Sequence, residues 1–163
     1  MVWVVMPEAA TLQGTLLGFD FGLRRIGVAV GQTATRTASA LVTLSHSTQP
    51  DWQVISKLIK EWQPAGLVVG LPLDAGGHET QMSRAARQFA AVLGQRFRKP
   101  VYFIDERLTS VQAESQFAEA RSAGRARRKD ARRLDAVAAK IILENWLQSR
   151  PVAGTAIGTS RKC

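Results

Sequence analysis

The sequence predicts an α/β fold, a five-stranded mixed sheet with helices on both faces. Three observations predict it. Strand patterns follow one another at residues 15–21, 25–31 and 37–44, as in an antiparallel meander. Beyond them, helical and strand patterns alternate, which implies parallel strands with helices laid over the sheet. The length of 163 residues suits one domain with one good core.

The first two strands, Leu16-Leu17-Gly18-Phe19-Asp20-Phe21 and Arg25-Ile26-Gly27-Val28-Ala29-Val30, form a hairpin, apolar except at Asp20 and the turn. In the third, Ala38, Ala40, Val42 and Leu44 alternate with Ser39, Leu41 and Thr43, which places the two sets on opposite faces. Asp51 is placed to cap a helix. Trp52, Ile55, Leu58, Ile59 and Trp62 then recur at helical spacing as a core stripe. Pro64 stops that helix. Gly66 to Leu71 is a continuous apolar run, the mark of a strand covered on both faces.

The loop from Pro72 to His78 carries Gly76-Gly77. Such a loop before a helix can receive a phosphate at the helix N-terminus, but it lacks the full phosphate-loop signature and is more often a plain connection. The next helix shows Met82, Ala85, Ala86, Phe89, Val92, Leu93 and Phe97 on one side. Pro100 to Ile104 is the fifth strand, with Asp105 and Glu106 at its end. Thr109 and Gln112 form a capping box for a helix over 110–121. The last helix runs from near Asp130 to about Gln148 and is apolar nearly all round, so it should be buried.

Residues 1–14 read as a flexible extension, 15–149 as the domain and 150–163 as a flexible tail. The apolar start, Met1 to Pro7, is too short for a membrane span and lacks a basic leader. No membrane partner is expected. The one cysteine, Cys163, allows no disulfide within the chain, which suits a reducing cytoplasm.

The formal net charge is +9. A strongly basic domain points to a polyanionic partner, above all nucleic acid. Arg121, Arg125, Arg127, Arg128, Lys129, Arg132 and Arg133 form the densest cluster. The cluster is either a self-repelling solvated loop or a guide for a phosphate backbone, and its place just before Asp135 favours the second. Arg107 is a further phosphate contact, or else the partner of Asp105. Aromatic residues lie mostly on helical core stripes, so no base-stacking platform is expected. His46 and His78 read as ordinary surface histidines.

Three acids stand in apolar settings: Asp20 at the exit of the first strand, Glu106 after the fifth, and Asp135 near the start of the last helix. Burying a carboxylate is costly unless something compensates its charge. Taken singly, Asp20 reads as a turn cap, Glu106 as a partner of Arg107, and Asp135 as a helix-dipole contact. Together they read as one site, because functional groups of open α/β sheets gather at strand ends. Gly18 and Gly22 share a face with Asp20 and suggest room for a bulky ligand beside it. An all-oxygen ligand set suits Mg²⁺ or Mn²⁺ rather than a structural zinc. Two such ions about 3.5–4 Å apart hydrolyse phosphodiesters.

Five blocks in order across residues 15–148 resemble the YqgF family, the bacterial pre-16S rRNA nucleases also called RuvX-type Holliday junction resolvase homologues. They are Leu17-Gly18-Phe19-Asp20-Phe21-Gly22, Arg25-Ile26-Gly27-Val28-Ala29-Val30, Gly70-Leu71-Pro72-Leu73, Asp105-Glu106-Arg107-Leu108-Thr109-Ser110 and Leu134-Asp135-Ala136-Val137-Ala138-Ala139. The resemblance implies a ribonuclease H-like fold, and phosphodiester hydrolysis at the 5′ end of precursor 16S ribosomal RNA in the cytoplasm. It implies that Asp20, Glu106 and Asp135 are the metal-binding catalytic carboxylates. Asp105 is the weaker candidate, since alternation sends it the opposite way from Glu106.

Two departures accompany the resemblance. Related junction resolvases carry an acid at the end of strand four, where this chain has Val69-Gly70-Leu71. A family loop similar to L-P-x-N-M-D-G here reads Leu71-Pro72-Leu73-Asp74-Ala75-Gly76-Gly77.

The expected partner is precursor rRNA, alone or within a pre-ribosomal particle. The alternatives are a resolvase cutting branched DNA as a homodimer, and a non-catalytic RNA-binding assembly factor. An ATPase of the actin and sugar-kinase type would need two such domains, and this chain has the length of one.

Overall fold

The computed structural model describes residues 12–46, 48–106 and 128–149. The strands are β1 (Thr15–Phe21), β2 (Arg25–Gln32), β3 (Thr37–Ser45), β4 (Gly66–Leu71) and β5 (Val101–Asp105). The helices are α1 (Trp52–Trp62), α2 (Gln81–Phe97) and α3 (Arg128–Ser149). The sheet order is β3-β2-β1-β4-β5. Strands β1, β2 and β3 pair antiparallel. Strands β4 and β5 join parallel beside β1. This is the mixed sheet the sequence predicts. The helix expected over 110–121, with its Thr109–Gln112 box, lies outside the described residues.

Alternation along the strands divides the core in two. On one face Leu17, Phe19, Ile26, Val28, Leu67 and Val69 pack under α1 and α2 with Ile55, Ile59, Phe89 and Leu93. On the other, Leu16, Ala29, Val68 and Ile104 pack under α3 with Ile142, Leu143, Trp146 and Leu147. Each fully buried large side chain contributes about 1.5–3 kcal/mol. All six residues of β4 are buried, as its unbroken apolar run requires. No residue of α3 from 134 to 147 is fully exposed.

The helix ends are satisfied locally. Asp51 accepts from the Val54 backbone N–H and starts α1. Gln63, in the left-handed region at φ 45°, ends it before Pro64. Thr80 and Ser83 cap α2 reciprocally, each side chain accepting from the other's backbone N–H. The loop before α2 is closed by Asp74, whose Oδ1 accepts from the N–H groups of Gly76 and His78. The start of α2 is therefore occupied by its own side chains, and the loop reads as a connection.

The β2–β3 hairpin grips both ends of α3. Arg36 donates to the Leu147 and Gln148 carbonyls at the helix C-terminus, where a cation is favoured. Arg25 pairs with Asp135 near the other end.

Four expectations need correction. In β3, Val28 pairs with Val42 and Ala29 with Ala40, so Leu41 is the extra residue of a bulge. The bulge resets the alternation. Ala38 joins the core under α3, while Leu41, Val42 and Leu44 join the opposite one. In α2, Ser83 and Ala90 are buried and Val92 is exposed, so the inward face is rotated from the predicted stripe. His46 is half-buried: its Nε2 bonds the Gly22 carbonyl and its ring packs on Phe21. Finally, residues 12–14 belong to the domain. Leu12 is 5% exposed in the core, and Gly14 exchanges hydrogen bonds with Thr33. Residues 1–11 and 150–163 lie outside the described set. Among the described residues no helix is long and apolar enough to cross a membrane.

Candidate active site

Asp20 is the sixth residue of β1 and points to the α3 face. Its Cα partner on β2 is Gly27. On the other side, Phe19 pairs with Val69, so the next step of that register sets Asp20 beside Gly70. Glu106 follows the last residue of β5. It lies two positions beyond Ile104, which faces α3. Asp135 sits in the second turn of α3. The fold thus gathers all three predicted acids at one end of the sheet, on one face.

The carboxyl groups of Asp20 and Glu106 are hydrogen-bonded to each other. Two carboxyls can bond only if one holds a proton, and burial beside a like charge favours keeping it. Burial pushes the Glu106 carboxyl up to about 9, helped by the charge of Asp20, their shared hydrogen bond and the charge of Asp105. Burial also raises Asp20. Its bond to Glu106 opposes that rise, and the charge of Asp135 adds to it. Both carboxyls are thus raised, and the pair shares one proton.

Asp135 is near enough to act on Asp20 through its charge, yet its own carboxylate is held elsewhere. Arg25 Nε donates to Asp135 Oδ2 at 2.6 Å. Among the described residues no three acids, histidines or cysteines are grouped as a metal-holding cluster. Asp105 lies two residues beyond Phe103, whose ring lies under the Arg87 guanidinium of α2. Alternation assigns Asp105 to that same face, away from Glu106.

Gly27 and Gly70 flank Asp20 and admit its neighbours. A Cβ on Gly27 would lie 1.9 Å from the Asp135 carbonyl oxygen, so the backbone of α3 rests directly on β2 there. A Cβ on Gly70 would lie 2.6 Å from Glu106 Oε1. The space suggested beside Asp20 is not free for a ligand. A Cβ on Gly18 would meet Leu143 Cβ at 2.8 Å, and one on Gly22 the Arg25 carbonyl oxygen at 2.8 Å. These glycines serve close packing of the helix and the turn.

Of the predicted nucleic-acid contacts, Arg133 is exposed on α3, two residues before Asp135. Arg107, Arg125 and Arg127, and the side chains of Arg128, Lys129 and Arg132, lie outside the described residues. Sequence reasoning missed Arg25 as a partner of Asp135, because nothing local links positions 110 residues apart. It also missed the role of Gly70, although a glycine inside a buried strand signals a close approach.

A sequence profile of the RuvX family, described as Holliday junction resolvase, matches residues 14–149. The chain belongs to the RuvX family. A Xylella fastidiosa strain M23 protein named "Putative pre-16S rRNA nuclease" is 46% identical over 155 residues, covering 93% of this chain and 99% of the relative. A protein of that name from Hydrogenovibrio crunogenus is 44% identical over 139 residues, covering 85% and 96%. One from Xanthomonas oryzae pv. oryzae strain PXO99A is 47% identical over 145 residues, covering 87% and 94%.

Among solved structures, Thermus thermophilus RuvC in complex with a Holliday junction matches with TM-score 0.51 and 15% identity, over 83% of this chain and 94% of that one. The fowlpox virus resolvase in complex with Holliday junction DNA matches with TM-score 0.51 and 10% identity, over 83% and 97%. These two likenesses give the RuvX chain a ribonuclease H-like fold. Its family makes it a nuclease, a hydrolase that binds nucleic acid.

Proposed function

We propose that this RuvX protein is a divalent-metal-dependent nuclease that hydrolyses phosphodiester bonds of precursor 16S rRNA, processing its 5′ end in the cytoplasm during ribosome assembly. Asp20, Glu106 and Asp135 are its catalytic carboxylates. The observation that carries this reading is the Asp20–Glu106 carboxyl pair with the charge of Asp135 beside it. Buried acids that must share a proton form a site short of positive charge. Their oxygens suit Mg²⁺ or Mn²⁺, so the donor chemistry of Asp20 and Glu106 fits such an ion, with Asp135 turned to Arg25.

When bound, the ion supplies an activated water and stabilises the leaving oxygen. The protein's own groups do the rest. Asp20 and Glu106 would hold the ion, and the proton they share would pass to solvent. Arg25 orients Asp135, which would be the third ligand. Arg107, Arg125, Arg127, Arg128, Lys129, Arg132 and Arg133 bind the phosphate backbone, which gives affinity with little sequence information. The names of the RuvX relatives support a precursor 16S rRNA substrate, and the pre-ribosomal particle is its proposed setting.

The family description favours one second reading, a Holliday junction resolvase, which would cut branched DNA. The test is cleavage by purified protein of a precursor 16S RNA fragment beside a four-way DNA junction, with Mg²⁺, Mn²⁺ or chelator. Asp20→Asn and Asp135→Asn run in parallel. Metal-dependent cutting of the RNA, lost in both variants, is the expected result. Cutting of the junction alone moves the substrate to recombination intermediates. Salt-sensitive binding of RNA, free or in a pre-ribosomal particle, with no cutting in either form makes the protein a non-catalytic assembly factor.

A further inference from the structure

Asp20 stands on β1 and Glu106 just beyond β5, two strands that do not touch. β4 lies between β1 and β5, which separates the outer strands by roughly 10 Å. A glutamate side chain can cross that gap only by lying over the strand between. Glu106 does so at Gly70. A Cβ at position 70 would meet Glu106 Oε1 at 2.6 Å, Glu106 Cγ at 2.8 Å and Ile142 Cδ1 at 2.8 Å. All three are atoms of flexible side chains.

We propose that Gly70 is a positioning residue of the active site: its missing side chain is the path by which Glu106 crosses β4 to meet Asp20. Any side chain at position 70 turns the Glu106 carboxyl away, because the end of a glutamate yields more readily than a strand inside the sheet. Gly70 differs in this from Gly27, which faces helix backbone, and from Gly18, which faces Leu143 of the core. Those two admit α3, whereas Gly70 admits a functional group. The role of Gly70 in metal binding rests on the metal-dependent reading above. Its role in the carboxyl contact does not.

The experiment has two readouts on the full-length chain. The first is a crystal structure of the metal-free Gly70→Ala protein. The expected result is a displaced Glu106 with its bond to Asp20 broken, and a retained bond overturns the proposal. The second is Mn²⁺ binding by calorimetry to the wild type, Gly70→Ala, Glu106→Ala and the double variant. Gly70→Ala alone should weaken binding about 10–100-fold, the range for losing a group that orients a metal site. The double variant should bind no more weakly than Glu106→Ala. A further loss in that background means Gly70 acts otherwise and overturns the proposal. A wild type that binds no Mn²⁺ sinks the metal reading and leaves the crystal structure to decide the role of Gly70. If Gly70→Ala fails to fold, the double variant decides: recovered folding traces the clash to Glu106, and failure to recover overturns the proposal.

Discussion

Arg25 Nε lies 2.6 Å from Asp135 Oδ2. One of the three proposed metal-binding acids is thus held by a cation of β2. The pair is partly open to water, with side-chain exposures of 41% and 27%, so its own contribution to stability is at most about 1 kcal/mol. Its larger effect falls on the site, where it offsets charge that would otherwise add to the repulsion at Asp20. Arg25→Ala should leave the fold intact and tighten Mn²⁺ binding several-fold, because a positive charge leaves the neighbourhood of the carboxylates. Calorimetric titration at low and moderate salt checks this. Weaker binding would mean that Arg25 builds the metal site instead of competing for it.

Metal-free protein should lose stability as pH rises. Glu106 is shifted from its ordinary 4.5 up to about 9 in the fold. Across that window the folded chain keeps a proton that the unfolded chain releases, so each rise in pH favours unfolding. The raised Asp20 acts in the same direction. The melting temperature in chelator should fall between pH 5 and 9, a window these shifts set. Added Mg²⁺ should restore it most at the alkaline end, and Glu106→Gln should flatten the profile. A flat wild-type profile in chelator would reject the shared proton.

What the sequence revealed and what it hid divide along one line. The strands, the Asp51 cap and the fully buried β4 are written in local pattern, and the structure follows them. Asp20 and Glu106 stand out as candidates because each acid lies at the exit of an apolar strand. The Leu41 bulge was hidden, since two residues opposing one is a property of the pair β2–β3. The Arg25–Asp135 bond was hidden for the same reason. Gly18 misled, because an empty place beside a carboxylate looks alike in sequence whether a ligand or Leu143 fills it. The domain limits at residues 1–11 and 150–163 remain expectations of composition.

Glycines of the α3 face should differ sharply in their tolerance of alanine. At Gly18 the nearest new neighbour is Leu143 Cβ at 2.8 Å. That is ordinary overpacking, costing about 1–3 kcal/mol. At Gly27 the neighbours are backbone, with the Asp135 carbonyl oxygen at 1.9 Å and its carbon at 2.4 Å. Neither a rotamer change nor a small shift clears that clash, so the start of α3 must lift from β2. Urea denaturation should show Gly27→Ala losing more than Gly18→Ala, beyond the overpacking range. Equal midpoints would mean α3 is not seated on β2 at Asp135.

Arg133 provides the sharpest test of how nucleic acid reaches the acids. It is exposed on α3, two residues before Asp135. Lys57 is also exposed but lies on α1, across the sheet from α3. Either residue replaced by alanine removes one positive charge, so a general effect of net charge is common to both. A direct phosphate contact is different. It lowers the slope of log affinity against log salt by about 0.7–0.9 per contact, the smaller value for single strands. RNA binding followed by fluorescence anisotropy in chelator, over a range of salt, should show that drop for Arg133→Ala and none for Lys57→Ala. Both variants should melt within about 0.5 kcal/mol of the wild type, as exposed substitutions do. Equal slopes in all three proteins would move the nucleic-acid path away from the start of α3.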